Sequence, residues 1–139
     1  MNFSIIIPFY NAQDLINKAV NSILSQQYKG NYEIILVDDC SSDNSYYLAY
    51  QLSLQYDFII LLKTPSNSGP GEARNLALNY AKNDYIIFLD VDDILCKDSL
   101  NILSKYVLSG GDFFAYSMGG GAILSEMILI ALIKIKNLY

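Results

Sequence analysis

Three carboxylates fall within four positions of the sequence, at Asp90, Asp92 and Asp93 (the acidic cluster). They directly follow residues 85–89, an apolar run whose isoleucine and aromatic content is typical of a strand buried on both faces. Close negative charges repel one another unless a cation lies among them, and carboxylate oxygens suit Mg²⁺ or Mn²⁺. Because such ions commonly bridge to phosphate groups, the pattern predicts a metal–diphosphate site. The alternative is a solvated acidic turn, with Asp98 capping the next helix.

Three other segments that could bind a ligand also follow apolar runs or open a helix. They are residues 8–11, 38–39 and 68–74. In an open α/β sheet, ligands bind in the crevice beyond the carboxyl ends of the strands, so these segments and the acidic cluster are expected at one edge. Each segment alone has a structural explanation, but their common location indicates a ligand site.

The elements that must position these segments alternate along the chain. Apolar runs predict strands at residues 3–8, 33–38, 58–62 and 85–89, and apolar residues at helical spacing predict helices at 12–27, 44–56, 72–82 and 98–108. Pro8 is expected to end the first strand, and Asn11 to cap the first helix. Ala73, Leu76, Ala77 and Tyr80 are expected on the inward face of the third helix. The alternation predicts a three-layer αβα fold of the α/β class, with a mostly parallel sheet.

The last part of the chain is less regular. Residues 112–118 are consistent with a strand, and residues 122–138 form a strongly apolar stretch in which a helix is conceivable. Such a helix would pack on the sheet, on a partner, on a second copy or on a membrane surface. We therefore divide the chain into a ligand-binding domain at residues 1–111 and an apolar tail at residues 112–139.

Composition excludes several classes of function. The chain has 139 residues, enough for one domain with a real core, and 53% of them are hydrophobic, which argues against disorder. With a formal net charge of −5, no basic stripe and no histidine, the sequence disfavours nucleic-acid binding and histidine chemistry. Cys40 and Cys96 are expected to be reduced packing residues. No signal-peptide pattern or long apolar span is evident, so a cytoplasmic protein is expected.

Four segments in order resemble the family 2 glycosyltransferases, which have the GT-A fold, a Rossmann-like architecture. They read SIIIPFYNA, ILVDDCSSDNS, NSGPGEARNLAL and YIIFLDVDDIL, and the similarity runs from about residue 3 to residue 108. Each segment alone is weakly specific, whereas four in the right order and spacing are strongly specific. The resemblance implies transfer of a sugar from a nucleoside-diphosphate sugar to a hydroxyl group.

The resemblance also implies a role for residues of the first two segments. Pro8 and Tyr10 would shape the nucleotide pocket and stack on the base. Asp39 would accept a hydrogen bond from the N3–H of uracil, which favours a UDP-linked sugar. Asp38 would support the same turn or reach the nucleotide as well.

The third and fourth segments would hold the diphosphate and the metal. Glycines such as Gly71 would allow close backbone approach at a helix N-terminus, whose N–H groups and dipole attract phosphate. Arg74 would add a bidentate phosphate contact or, alternatively, form a surface ion pair with an aspartate. Asp92 would bind Mg²⁺ or Mn²⁺ directly, Asp90 would bind the ribose or a metal-bound water, and Asp93 would share either role.

The sequence departs from the family in its second half. An inverting transfer needs a general base, commonly an acidic pair before a helix, yet only Asp112 and Glu126 are acidic after Gly111. We therefore expect a fold that is incomplete at its C-terminal end, with the donor half but not the half that binds a glycan or lipid-linked acceptor. The alternative to an enzyme is a non-catalytic nucleotide-sugar-binding remnant. Attachment to the inner face of the membrane, or self-association, through the apolar tail is a further expectation.

Two other classes fit the acidic motifs less well. In phosphatases of the haloacid dehalogenase type, a threonine or serine follows the first aspartate by four positions, but this sequence has Ile94 there. In response-regulator receivers the acidic pair follows the first strand and a lysine lies late in the sheet, and neither feature is present.

Overall fold

The computed structural model describes residues 1–109 and, in the remainder, the strands Phe113–Tyr116 and Ile130–Lys134. The elements in chain order are β1 Phe3–Phe9, α1 Ile16–Leu24, β2 Tyr32–Asp38, α2 Ser45–Gln55, β3 Ile59–Lys63, α3 Pro70–Leu78, β4 Tyr85–Phe88, α4 Ser99–Leu108, β5 Phe113–Tyr116 and β6 Ile130–Lys134. These bounds agree with the predicted four strands and four helices to within a few residues at each end.

The strands form one sheet in the order β3-β2-β1-β4-β6-β5. The four strands β1 to β4 are parallel, whereas β6 lies antiparallel to β4 and β5 antiparallel to β6. The reversal of strand order at β1 brings the carboxyl ends of β1, β2 and β4 together. This is the position at which an open α/β sheet leaves a crevice for a ligand.

Alternate residues of the central strands pack into two separate apolar layers. On one face, Ile5, Ile7, Ile34 and Leu36 pack with apolar residues of α1, α2 and α4. On the other face, Ile6, Ile35 and Val37 pack with Ala73 and Ala77 of α3. Since both faces are covered, the strands have continuous apolar sequences instead of alternating ones, and the predicted three-layer α/β architecture is confirmed.

Two small predictions at the first strand and helix are wrong. Pro8 does not end β1 but pairs with Val37 inside the parallel ladder. The N–H of Leu89 donates to the carbonyl of Ile6 (3.0 Å), so the backbone groups of Ile6 face β4. Because backbone direction alternates along a strand, the nitrogen of Pro8 faces the same side. Pro8 lies beyond Ile6, the last residue of β1 that pairs with β4. The missing N–H therefore costs no strand pairing.

Asn11 does not cap α1, which begins only at Ile16 after a turn at residues 13–15. The N–H groups of Leu15 and Ile16 instead donate to the carbonyl of Ala12. Tyr80 was expected to face inward but is 51% exposed, because α3 ends at Leu78.

The apolar tail contributes two strands to the sheet, β5 and β6. The predicted strand is therefore present within residues 112–118. The helix considered for residues 122–138 is wrong over Ile130–Lys134, which is a strand whose residues 131–134 pair with Tyr85–Phe88. The rest of that stretch lies outside the described residues. In the part of the chain that is described, no helix is long and apolar enough to cross a membrane.

Candidate functional site

A cleft of about 250 Å³ lies at the carboxyl edge of the sheet, where the ends of β1, β2 and β4 meet the start of α3. Six of the residues singled out in the sequence line it: Pro8, Tyr10, Asp39, Arg74, Asp90 and Asp92. Phe9, Pro70 and Val91 also line the cleft. None of the three was named as a site residue, but each is adjacent in sequence to a predicted one. Asp38, Gly71 and Asp93 lie outside the lining.

Asp39 is the centre of a hydrogen-bond network formed with Thr64, Ser68 and Gly69 (the Asp39 network). Its Oδ1 accepts from the Thr64 hydroxyl (2.7 Å) and the Ser68 N–H (3.0 Å). Its Oδ2 accepts from the Gly69 N–H (2.7 Å) and, more weakly, from the Ser68 N–H (3.2 Å). The network fixes the loop between β3 and α3 against the end of β2.

The same contacts set the charge of this carboxylate. Burial alone would raise the pKa of Asp39, but the Ser68 N–H, the Thr64 hydroxyl and the Gly69 N–H together outweigh burial and lower it below its usual value. Asp39 is only 3% exposed and lines the cleft. The hydrogen bonds keep its carboxylate fixed and ionised there.

Asp38 supports the turn from below and does not reach the cleft. It is fully buried, its Oδ1 accepts from the Ser41 N–H (3.0 Å), and its Oδ2 lies 3.5 Å from Lys63 Nζ. The Lys63 ammonium in turn lies 4.9 Å from the centre of the Tyr46 ring. These contacts hold the turn after β2, and Asp38 does not line the cleft.

The loop after β1 is tied to the loop after β2 by side chains that sequence analysis did not pair. Asn11 has a left-handed backbone (φ 47°), and its Oδ1 accepts from the Ser42 N–H (2.8 Å). The Ala12 N–H donates to the Ser45 hydroxyl (2.7 Å). These contacts hold the loop that carries Tyr10, a residue that is 48% exposed and therefore accessible to a planar ligand.

The N-terminus of α3 already has an anion beside it. Gly69, the residue before the helix, has φ 88°, a conformation that glycine adopts without strain, and its N–H is bound to Asp39. A phosphate would therefore meet a helix end that is partly occupied by a carboxylate. At Gly71 a side-chain Cβ would meet no atom within 4 Å, so the space that this glycine leaves is open.

Arg74 and Asp90 form an ion pair across the cleft, between α3 and the end of β4. The guanidinium carbon lies 5.8 Å from the centre of the Phe88 ring, and Nε is buried without a hydrogen-bond partner. The ion pair is the alternative that the sequence left open for Arg74, although its partner belongs to the acidic cluster.

The acidic cluster brings three carboxylates together, with one oxygen of each within 4.8 Å of the others. Asp93 is tied to the turn by its N–H, which donates to the carbonyl of Asp90 (3.0 Å). Burial, then the charges of Asp92 and Asp90, raise the pKa of Asp93. An all-oxygen donor set with excess negative charge fits Mg²⁺ or Mn²⁺. Asp98 is the N-cap residue of α4, as predicted, but its side chain makes no capping hydrogen bond.

Comparison with known proteins gives one family and a consistent set of relatives. The profile described as "Glycosyl transferase family 2" matches residues 4–119. A poly(ribitol-phosphate) beta-glucosyltransferase of Bacillus spizizenii is 41% identical over 102 residues, which are 72% of this chain but 16% of that protein.

Solved structures give the same result for the fold. TarS of Staphylococcus aureus (residues 1–349) in complex with UDP superposes with a TM-score of 0.79 at 30% identity, over 90% of this chain and 38% of that one. The complex of the same protein with UDP-GlcNAc gives 0.78 at 30% identity, over 90% and 36%. The chain thus spans well under half the length of these proteins.

Proposed function

The chain belongs to glycosyl transferase family 2, and from this premise we propose that its cleft binds the donor of a sugar transfer, a UDP-linked sugar. The similar S. aureus protein, TarS, binds UDP and UDP-GlcNAc. The observation that carries the proposal is the composition of the cleft. Four separate segments bring a proline and a tyrosine, a buried carboxylate, an arginine and two further carboxylates to one cavity of about 250 Å³.

The base would bind at the end of the cleft formed by β1 and β2. Pro8 and Tyr10 offer apolar surface and an accessible ring for stacking. Asp39 offers the acceptor for a uracil N3–H, since each carboxylate oxygen can accept two hydrogen bonds and the contact from Ser68 to Oδ2 is long. Because the Asp39 network holds the carboxylate in place, the base would meet a pre-formed acceptor.

The diphosphate would bind between α3 and the acidic cluster. Arg74 supplies the positive charge on that side, and the open space at Gly71 leaves room near the helix start. Asp92, with Asp90 and Asp93, would hold Mg²⁺ or Mn²⁺, which neutralises charge on a departing nucleoside diphosphate. Asp90 would bind the ribose or a metal-bound water.

The transfer itself would invert the sugar, with a glycan or lipid-linked hydroxyl group as acceptor. That step needs a general base, and after Gly111 only Asp112 and Glu126 are acidic. We assign the base to neither residue. The proposal for this chain is therefore donor binding. A non-catalytic nucleotide-sugar-binding protein would share every donor-side residue with an enzyme.

The test is a calorimetric titration of UDP with and without Mn²⁺ on the unmodified protein and on Asp92→Ala. We expect Mn²⁺-dependent binding that weakens at least about tenfold in the variant, since one direct ligand is lost. Asp57→Ala is the matched control, because this exposed aspartate lies at the opposite edge of the sheet. Equal affinities in all three proteins, or no binding to folded protein, would contradict the proposal. Binding without transfer to any tested hydroxyl acceptor would identify the non-catalytic alternative.

A further inference from the structure

The three carboxylates of the acidic cluster differ in their neighbours. Asp90 is paired with Arg74. Asp92 is exposed, and within residues 1–109 no hydrogen bond or ion pair reaches the carboxylate of Asp92 or Asp93. The protein therefore neutralises one member of the cluster with its own cation and leaves the other two uncompensated.

The position of Arg74 is fixed by packing as well as by charge. Ala73 and Ala77 are fully buried and seat α3 on the sheet, which places Arg74 at the side of the cleft. Its guanidinium lies against the ring of Phe88, the last residue of β4, two positions before Asp90. The packing of α3 and the contact with Phe88 therefore both hold the guanidinium of Arg74 beside the carboxylate of Asp90.

The pair is nevertheless unsaturated. One terminal nitrogen of the guanidinium contacts Asp90, while Nε is buried without a hydrogen-bond partner. The Arg74 side chain is 30% exposed and that of Asp90 is 46% exposed, so the pair lies open to the cleft. A guanidinium has five N–H donors, so an incoming anion can draw Arg74 away from Asp90 or share it.

We propose that Arg74 is a positioning residue that acts through Asp90. It holds the Asp90 carboxylate in the nucleotide-free protein, so that Asp92 and Asp93 alone face a divalent cation. When the diphosphate binds, Arg74 turns its donors toward phosphate and frees Asp90 for the cation or its water. This inference rests on the proposed cation site. It adds that the binding of the nucleotide and the binding of the metal are coupled through Arg74.

The test measures Mn²⁺ alone, by electron paramagnetic resonance of the free ion, on the full chain without nucleotide. We expect Arg74→Gln to bind Mn²⁺ about tenfold more tightly than the unmodified protein, because a carboxylate is released toward the cation. Arg74→Met, which keeps an apolar stem over Phe88, is expected to behave in the same way. Lys82→Gln removes one positive charge at the other edge of the sheet and is expected to leave the affinity unchanged.

A double-mutant cycle separates positioning from simple charge. With Asp90→Asn already present, adding Arg74→Gln is expected to change Mn²⁺ affinity by less than about twofold, because the residue through which Arg74 acts has lost its charge. Tightening of undiminished size in that background would overturn the inference, as would the absence of tightening in both single variants. The Mn²⁺ measurement uses no nucleotide, so UDP binding that depends on Asp92 can stand even where this inference fails.

Discussion

Two carboxylate-bearing turns lie at the same edge of the sheet and differ in how the protein treats their charge. After β2, Asp39 accepts hydrogen bonds from Thr64, Ser68 and Gly69, and these contacts lower its pKa. After β4, burial and then the like charges of Asp92 and Asp90 raise the pKa of Asp93. In the first turn, the protein supplies hydrogen-bond donors to both oxygens of Asp39. In the second turn, the acidic cluster keeps an excess of negative charge.

The difference indicates how the two halves of one cleft can serve different purposes. A carboxylate that is already hydrogen-bonded is fixed in position, which suits recognition of a planar group by shape and a single hydrogen bond. A cluster with unbalanced negative charge is stabilised when a cation binds, which suits a metal that binds together with a nucleotide. The following predictions test this contrast, from the largest expected effect to the smallest.

Asp39→Ala is expected to destabilise the protein by about 2–3 kcal/mol, because the Thr64 hydroxyl and two backbone N–H groups lose their acceptor. Urea unfolding at neutral pH measures the change. Asp92→Ala is the matched comparison and is expected to be neutral or slightly stabilising, since it removes repulsion within the acidic cluster. Equal losses in the two variants would remove the contrast between the turns.

Mn²⁺ is expected to stabilise the protein through the acidic cluster and not through the Asp39 network. At ten times the dissociation constant, ligand binding to the native state alone contributes about 1.4 kcal/mol. Urea unfolding with and without Mn²⁺ should show this gain for the unmodified protein and for Asp57→Ala, but not for Asp92→Ala. A gain that survives in Asp92→Ala would place the cation elsewhere.

Thr64→Val is expected to cost about 1 kcal/mol, since it removes the hydroxyl that donates to Asp39 while keeping the side-chain volume. Thr64→Ser retains the hydroxyl and is the control. Because Thr64 is 4% exposed, the loss should appear in the free energy of unfolding and not only in ligand binding. If valine is tolerated as well as serine, the backbone donors alone hold Asp39.

The two turns are expected to respond to pH with opposite signs. The folded-state pKa of Asp39 is lowered, so its contribution is present above the unfolded-state value and is lost as pH falls through the folded-state value. The folded-state pKa of Asp93 is raised, so its ionisation disfavours folding at neutral pH, and lowering the pH through that raised value relieves the penalty.

Asp93→Asn should therefore be more stable than the unmodified protein at neutral pH, by less than about 1 kcal/mol for a partly exposed charge at low salt. Its advantage should shrink as the pH falls through the raised folded-state pKa and should be gone below the unfolded-state pKa of aspartate. Unfolding curves at several pH values measure the difference. An advantage that grows on acidification would mean that the sign assigned to Asp93 is wrong.

The sequence by itself determined the order of the elements and the location of the cleft. Continuous apolar runs occur where strands are covered on both faces, and Ala73 and Ala77 recur at helical spacing on the buried side of α3. Polar segments that follow parallel strands must meet at one edge, so residues near Pro8, Asp39, Arg74 and Asp90 were expected together and are found lining one cavity.

Only the tertiary structure decided which of these residues hold one another. Asp39 and its partners in the Asp39 network are 25 to 30 positions apart, Arg74 and Asp90 are 16 apart, and Asn11 and Ser42 are 31 apart. Local propensity carries no information on such pairs, because they depend on how the strands are ordered and how α3 is seated. Strand β6 likewise lies between β4 and β5, a position set by pairing with both neighbours and not by its own sequence.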